Sequence, residues 1–192
     1  MILVPGQDWT WNYVKKGAKQ HLALDLVSDD NQNFSFVTHY NVNELKVHPD
    51  PGQSFCIEDG ILLTAFQQGL YDIGVEQDVL CLEIGLNALA CSRFCKDSMP
   101  LSRYFSSDGN NPQAKLGQVV SLYSNDGAIG DFIVLDQPGE EHNEHNELVR
   151  LMLANPEFEF CGHYLKLGQM LRVTRDCLNQ YRLKKQKKVY YA

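Results

Sequence analysis

Trp9, Trp11 and Tyr13 alternate with Thr10 and Asn12, and Leu22, Leu24 and Leu26 alternate with Ala23 and Asp25. A period of two puts every second side chain on one face of a strand. The stretch 15–19, with Gly17, supplies a turn between the two runs, so a β-hairpin is predicted. Phe34, Phe36 and Val37 suggest a third strand, and 41–53, with Pro49, Pro51 and Gly52, reads as a loop. From Glu58 the period turns helical: Ile61, Leu62, Ala65, Phe66 and Leu70 share one side, and Gly74 breaks the pattern. A cleaner helix follows, with Val79, Leu82, Leu86, Leu89, Ala90 and Phe94 at three- and four-residue spacings. Its acids, Glu76 and Asp78, come first and Arg93 and Lys96 last, an order worth about 0.3–1 kcal/mol per charge against the helix dipole.

After Pro100 the apolar runs become short and strand-like. Residues 119–123 lead into Asn125-Asp126-Gly127, a hairpin-turn signal, and then into 132–135. Residues 158–160, 164–167 and 170–173 are further strand candidates, punctuated by Gly162 and Gly168. The pattern predicts an α+β chain: an N-terminal α/β domain over 1–107, a mostly-β domain over 108–180 built as a small sandwich or barrel, and a basic, loosely ordered tail over 181–192.

The 192 residues are enough to bury a core without metals or disulfides. Six cysteines show no framework spacing, which points to free thiols in a reducing cytoplasm. A formal charge of -7 argues against general nucleic-acid binding. The apolar stretch 79–90 is interrupted by Glu83 and is too short to span a bilayer, so no direct membrane insertion is expected. Against this acidic background, Arg93, Lys96 and Arg103 gather cations where helical periodicity gives way to strands. Helix C-termini favour cations without any partner, so the cluster suits either a helix end or a site for an acidic partner.

Other constellations carry less. Cys91 and Cys95 share a helix face, but two thiols fall short of a structural zinc set, and the pair reads as ordinary buried cysteines. His142 and His145, with Glu141 and Glu144, match no metalloprotease spacing and read as part of a hydrophilic loop over 139–147. No phosphate cradle and no nucleophile elbow is present, and no cofactor, metal site or catalytic residue is expected. The Trp9, Trp11 and Tyr13 face either packs the core or lines an apolar pocket with Leu22, Leu24 and Leu26 that accepts a peptide side chain. An alternative function is an RNA- or ribosome-associated adaptor using the β-rich half and the basic tail.

Several segments, taken in order, resemble the ZapC cell-division family. They are D-W-T-W-N-Y at 8–13, L-A-L-D-L at 22–26, F-C-I-E-D-G at 55–60, L-N-A-L at 86–89, K-D-S-M-P at 96–100 and L-G-Q at 167–169. The resemblance implies a cytoplasmic, non-enzymatic protein of the mid-cell division ring. It would bind FtsZ, the tubulin-like GTPase of that ring, promote lateral bundling of its filaments and restrain GTP turnover. It also implies an apolar pocket position at Leu24, beside Leu22, and a basic partner contact at Lys96, with Arg93 and Arg103 nearby. A second basic position of the family falls on Leu101, where this chain departs from the pattern. Bundling needs two FtsZ contacts per particle, supplied by two surfaces or by self-association.

Overall fold

The computed structural model describes residues 6, 8–28, 32–107, 113–136 and 148–181. The hairpin forms as β1 (Thr10–Lys16) and β2 (Lys19–Val27), with Trp11 opposite Leu24 and Tyr13 opposite Leu22. Gly17, at φ +63°, takes the left-handed backbone that its two-residue turn needs. β3 (Asn33–Asn41) pairs with β2, and the short β4 (Gln53–Ser54) pairs with β1, giving the sheet order β3-β2-β1-β4. The predicted 41–53 loop therefore contains a helical turn, Val42–Glu44, and a strand too short to announce itself by periodicity.

Two helices cover this sheet, α1 (Ile57–Asp72) and α2 (Asp78–Phe94). Leu63, Phe66 and Leu70 form the buried face of α1, whereas Ile61 is exposed. Sequence spacing alone allows either stripe, and packing against α2 and the sheet selects the second. α2 buries Leu86, Leu89, Ala90 and Phe94 as predicted, but Val79 is exposed.

The remaining strands are β5 (Phe105–Ser106), β6 (Val119–Ser124), β7 (Ile129–Val134), β8 (Leu148–Leu153), β9 (Glu157–Phe160), β10 (His163–Lys166), β11 (Met170–Thr174) and β12 (Asn179–Gln180). The second sheet runs β11-β8-β7-β6-β12 with β5 also on β6, and β9-β10 is a separate hairpin. The second half is mostly β, as expected, but the sheet stays open: among the described residues no strand pairing joins its two outer strands into a barrel.

Both faces of this second sheet are buried. Val119, Ile133 and Met152 join the core formed by the first sheet and the helices, while Val120, Phe132, Val134 and Leu151 face a second core with Phe105, Phe158 and Phe160. That double burial explains why 132–135 is a continuous apolar run rather than an alternation. The first of these cores is thus shared by the two halves. The 139–147 loop and the basic tail beyond Tyr181 lie outside the described residues.

Candidate functional site

Arg93 is committed to the interior. Its Nη1 lies 2.6 Å from Oδ1 of Asp59, a fully buried carboxylate near the start of α1. Asp59 also accepts from the Trp11 indole at 3.2 Å and from the Cys56 backbone N–H at 3.0 Å. Trp11 meets Phe94 edge-on with ring centroids 4.9 Å apart. One carboxylate therefore ties β1 and both helices together, and the Arg93 charge is spent on holding it.

Leu22 and Leu24 are fully buried on the core face of β2. Neither lines the cleft described next, and a partner would reach them only if the core opened. Arg103 lies in the helical turn 102–104, with its guanidinium 4.7 Å from the Tyr104 ring centroid and Nη2 donating to the Tyr104 hydroxyl at 2.7 Å. Lys96, like Arg103, is exposed, and its Nζ donates to the Asn43 carbonyl at 2.9 Å.

Lys96 lies on the rim of a cleft of about 800 Å³ where the two halves meet. One wall is the C-terminal part of β3, residues 37–40, with the end of α2 behind it; the opposite wall is the turn 165–170. The walls are bolted to each other. The Tyr40 hydroxyl donates to Gly168 O at 2.6 Å, and His39 Nδ1 lies 2.8 Å from Leu167 O. A carbonyl can only accept, so Nδ1 carries the proton. Gly168 sits at φ +83°, and a Cβ there would come within 2.9 Å of His39 Nδ1, so the approach requires glycine.

The chemistry of the cleft is mixed. Val37, Tyr40, Leu165, Leu167 and Met170 supply apolar surface, Lys16, Lys96 and Lys166 supply cations, and Glu44 and Glu83 oppose them. Cys91 of α2 and Cys95, just beyond its end, line the same cleft. Hydrogen bonding from Cys95 holds the Cys91 thiol below its ordinary range, whereas the same contact, reinforced by burial, pushes Cys95 up. Among the described residues no cluster of three or more His, Cys, Asp or Glu side chains is placed to hold a metal ion. None of the described helices is long and apolar enough to cross a membrane.

Of the five sequence-derived positions, only Lys96 lines the cleft. Lys16, Lys166, His39 and Tyr40 were not singled out from the sequence. Lys16 lies on β1, His39 and Tyr40 on β3 and Lys166 on β10, and nothing in the sequence spacing links these three strands. The trace that was available is the L-G-Q at 167–169, whose glycine permits the contact between the walls.

Comparison with known proteins bears on the same region. Residues 2–96 match the family described as "Cell-division protein ZapC, N-terminal". The chain is 28% identical over 138 residues to a cell division protein ZapC of Aeromonas hydrophila, covering 71% of this chain and 72% of the relative. It is 27% identical over 135 residues to that of Aliivibrio salmonicida, covering 70% and 71%. It is 21% identical over 183 residues to that of Xenorhabdus bovienii, covering 94% and 93%.

Proposed function

Because this chain belongs to the ZapC family of cell-division proteins, we propose that it is a non-enzymatic factor of the division ring that binds FtsZ filaments, bundles them laterally and slows their GTP turnover. It would act in the cytoplasm at mid-cell. The observation that carries this reading is the family match over 2–96, which spans the β3 wall of the cleft, the end of α2 and Lys96. We assign partner binding to the first unit, 1–107, with 108–180 contributing the opposite wall.

The cleft supports an acidic peptide-like partner. Its apolar lining offers an anchor for one side chain, and Lys16, Lys96 and Lys166 outnumber Glu44 and Glu83 around it. In such interfaces the desolvated apolar contact supplies affinity, and rim cations set association rate and salt sensitivity. Arg93 and Leu24 are poor probes of this site, because their side chains are built into the fold. Lys96 is the informative position.

Co-sedimentation with polymerised FtsZ tests the proposal. The wild-type protein should pellet with filaments at low salt, and Lys96→Glu should weaken pelleting about tenfold, with the deficit shrinking as salt rises. A folded wild-type protein that stays in the supernatant at low salt would sink the FtsZ reading.

A further inference from the structure

β3 is an outer strand, and its hydrogen-bonding direction can be worked out from the far side of the sheet. Trp9 O accepts from Phe55 N and Trp11 O from Gly52 N, each at 2.8 Å, so these residues turn toward β4. Thr10 and Asn12 then bond to Asp25 and Ala23 of β2. Leu24 and Leu26, next in the alternation, bond outward to Phe36 and Phe34 of β3. The backbone groups of Asn33, Ser35 and Val37 therefore point away from the sheet. Further along, His39 N–H has the same direction and is capped by Asn87 Oδ1 at 3.0 Å. Among the described residues no such cap is found for Ser35 or Val37.

Sheet edges are ordinarily blunted by lysine, proline, inward charges or cover. The sequence of β3, NFSFVTHYN, carries none of these residues. Its side chains are suited to a neighbour: Phe34 is 36% exposed and Phe36 half-buried on the face shared with Leu24, while Asn33 and Ser35 occupy the polar face. The open edge also runs into the cleft, since Val37 belongs to both. There the strand ends among Lys16, Lys96 and Lys166, with Lys15 and Lys19 exposed on the adjoining hairpin.

We propose that the outer edge of β3, at Asn33, Ser35 and Val37, receives an extended acidic peptide segment as a fifth strand of the first sheet, with its acidic end in the lysine-rimmed cleft. This rests on the FtsZ reading for the identity of the partner, and adds the mode of recognition. Main-chain hydrogen bonds to the edge supply affinity, and alternate side chains meet Phe34 and Phe36 on one face. The lysines choose an acidic segment over a second copy of this chain, whose own β3 is uncharged and would leave them unpaired.

The edge itself is testable with amide exchange and one substitution. In the free protein the Ser35 and Val37 amides should exchange fast and those of Phe34 and Phe36 slowly. Saturating FtsZ polymer should slow Ser35 and Val37 by at least about tenfold. Ser35→Pro removes only an outward N–H, which an edge strand tolerates, and should weaken FtsZ pelleting about tenfold with a near-normal melt. Wild-type protein that pellets while the Ser35 and Val37 amides stay fast overturns strand addition and leaves the FtsZ reading standing. Pelleting of folded Ser35→Pro at wild-type strength does the same. Failure of the wild type to pellet overturns both. A wild-type dimer in light scattering that Ser35→Pro converts to monomer replaces the peptide by a second copy. If the proline variant does not fold, the exchange experiment on the wild type decides.

Discussion

One outer strand of the first sheet, β3, is left open along 33–37 among the described residues, whereas one outer strand of the second, β11, is closed by the connector that follows α2. Leu101 N–H donates to Arg172 O at 2.8 Å, Thr174 N–H donates to Ser102 Oγ at 2.8 Å, and Pro100 bridges to Arg172. Arg172 Nε in turn donates to Ser98 O at 2.7 Å. Asp97 holds the connector from the other side, with Oδ1 3.0 Å from Arg150 Nε and Oδ2 3.7 Å from Arg172 Nη1. The Arg150 contact is an ion pair rather than an aligned hydrogen bond, because its Nε finds no acceptor in good geometry. Arg150 also donates to the Cys91 and Ser92 carbonyls at the end of α2, at 3.0 and 3.2 Å. A connector that draws notice in the sequence for its cations is fixed through its one acid and its backbone. The same chain closes one edge with several contacts and, among the described residues, leaves the 33–37 stretch of another uncapped, which makes that stretch a candidate for use.

An open-edged sheet must be held through its face, and Asp59 is where that claim is most exposed. Asp59→Ala would strand the Trp11 indole and the Cys56 N–H and release the Arg93 guanidinium. Since Arg93 is 28% exposed and can hydrate in part, the expected loss is about 3 kcal/mol of unfolding free energy. A denaturant titration reads this as a lower midpoint at unchanged slope. A loss below about 1 kcal/mol would show that apolar packing alone secures the first sheet to its helices.

The next substitution opens the closed edge. Asp97→Ala removes the carboxylate that holds the connector to Arg150 and Arg172. Asp97 is 40% exposed, so solvent screening keeps the global cost to about 1 kcal/mol or less. The local effect should be larger. The Thr174 amide, bonded to Ser102, should exchange faster while the amides bonded between β8 and β11 keep their protection. An unchanged Thr174 rate would mean that the connector's backbone contacts close this edge without the ion pairs.

The contrast between the edges also shows what the sequence could and could not disclose. β1, β2, α2 and the Asn125-Asp126-Gly127 turn were legible because each obeys a local period or turn rule and buries the face that the period selects. The open edge was half legible: the uncharged run of β3 is in the sequence, but whether a strand lies inside or outside a sheet is decided by its neighbours. β8 gave little sign of its pairing, since it is buried on both faces and its apolar run carries no alternation. Arg93 shows the limit most sharply. Its position at a helix end was readable, yet its partner Asp59 lies 34 residues away, and only the fold brings them together. The cleft is of the same kind, built from β3, the end of α2 and the 165–170 turn.

The smallest expected effect tests how the closed edge shares its cations. Asp136 lies 3.3 Å from Arg150 and competes with Asp97 for that guanidinium. Burial raises the Asp136 carboxyl above its ordinary value; Arg150 pulls it back, Asp97 pushes it up again and Arg172 lowers it. A carboxyl whose pKa is higher in the folded than in the unfolded chain favours folding in its protonated form. That contribution is fully present below the unfolded value and is lost as pH rises through the folded value. Wild-type protein should therefore gain melting temperature relative to Asp136→Asn as pH falls from neutral through the carboxylate range, and the two should differ least in slope near neutrality. Protonation of Asp136 also leaves Arg150 to Asp97, so Thr174 exchange, corrected for its intrinsic pH dependence, should slow over the same window in the wild type and not in Asp136→Asn. Parallel pH profiles for the two proteins would show that Asp136 titrates like a solvated carboxylate, and that the edge of β11 is closed without its help.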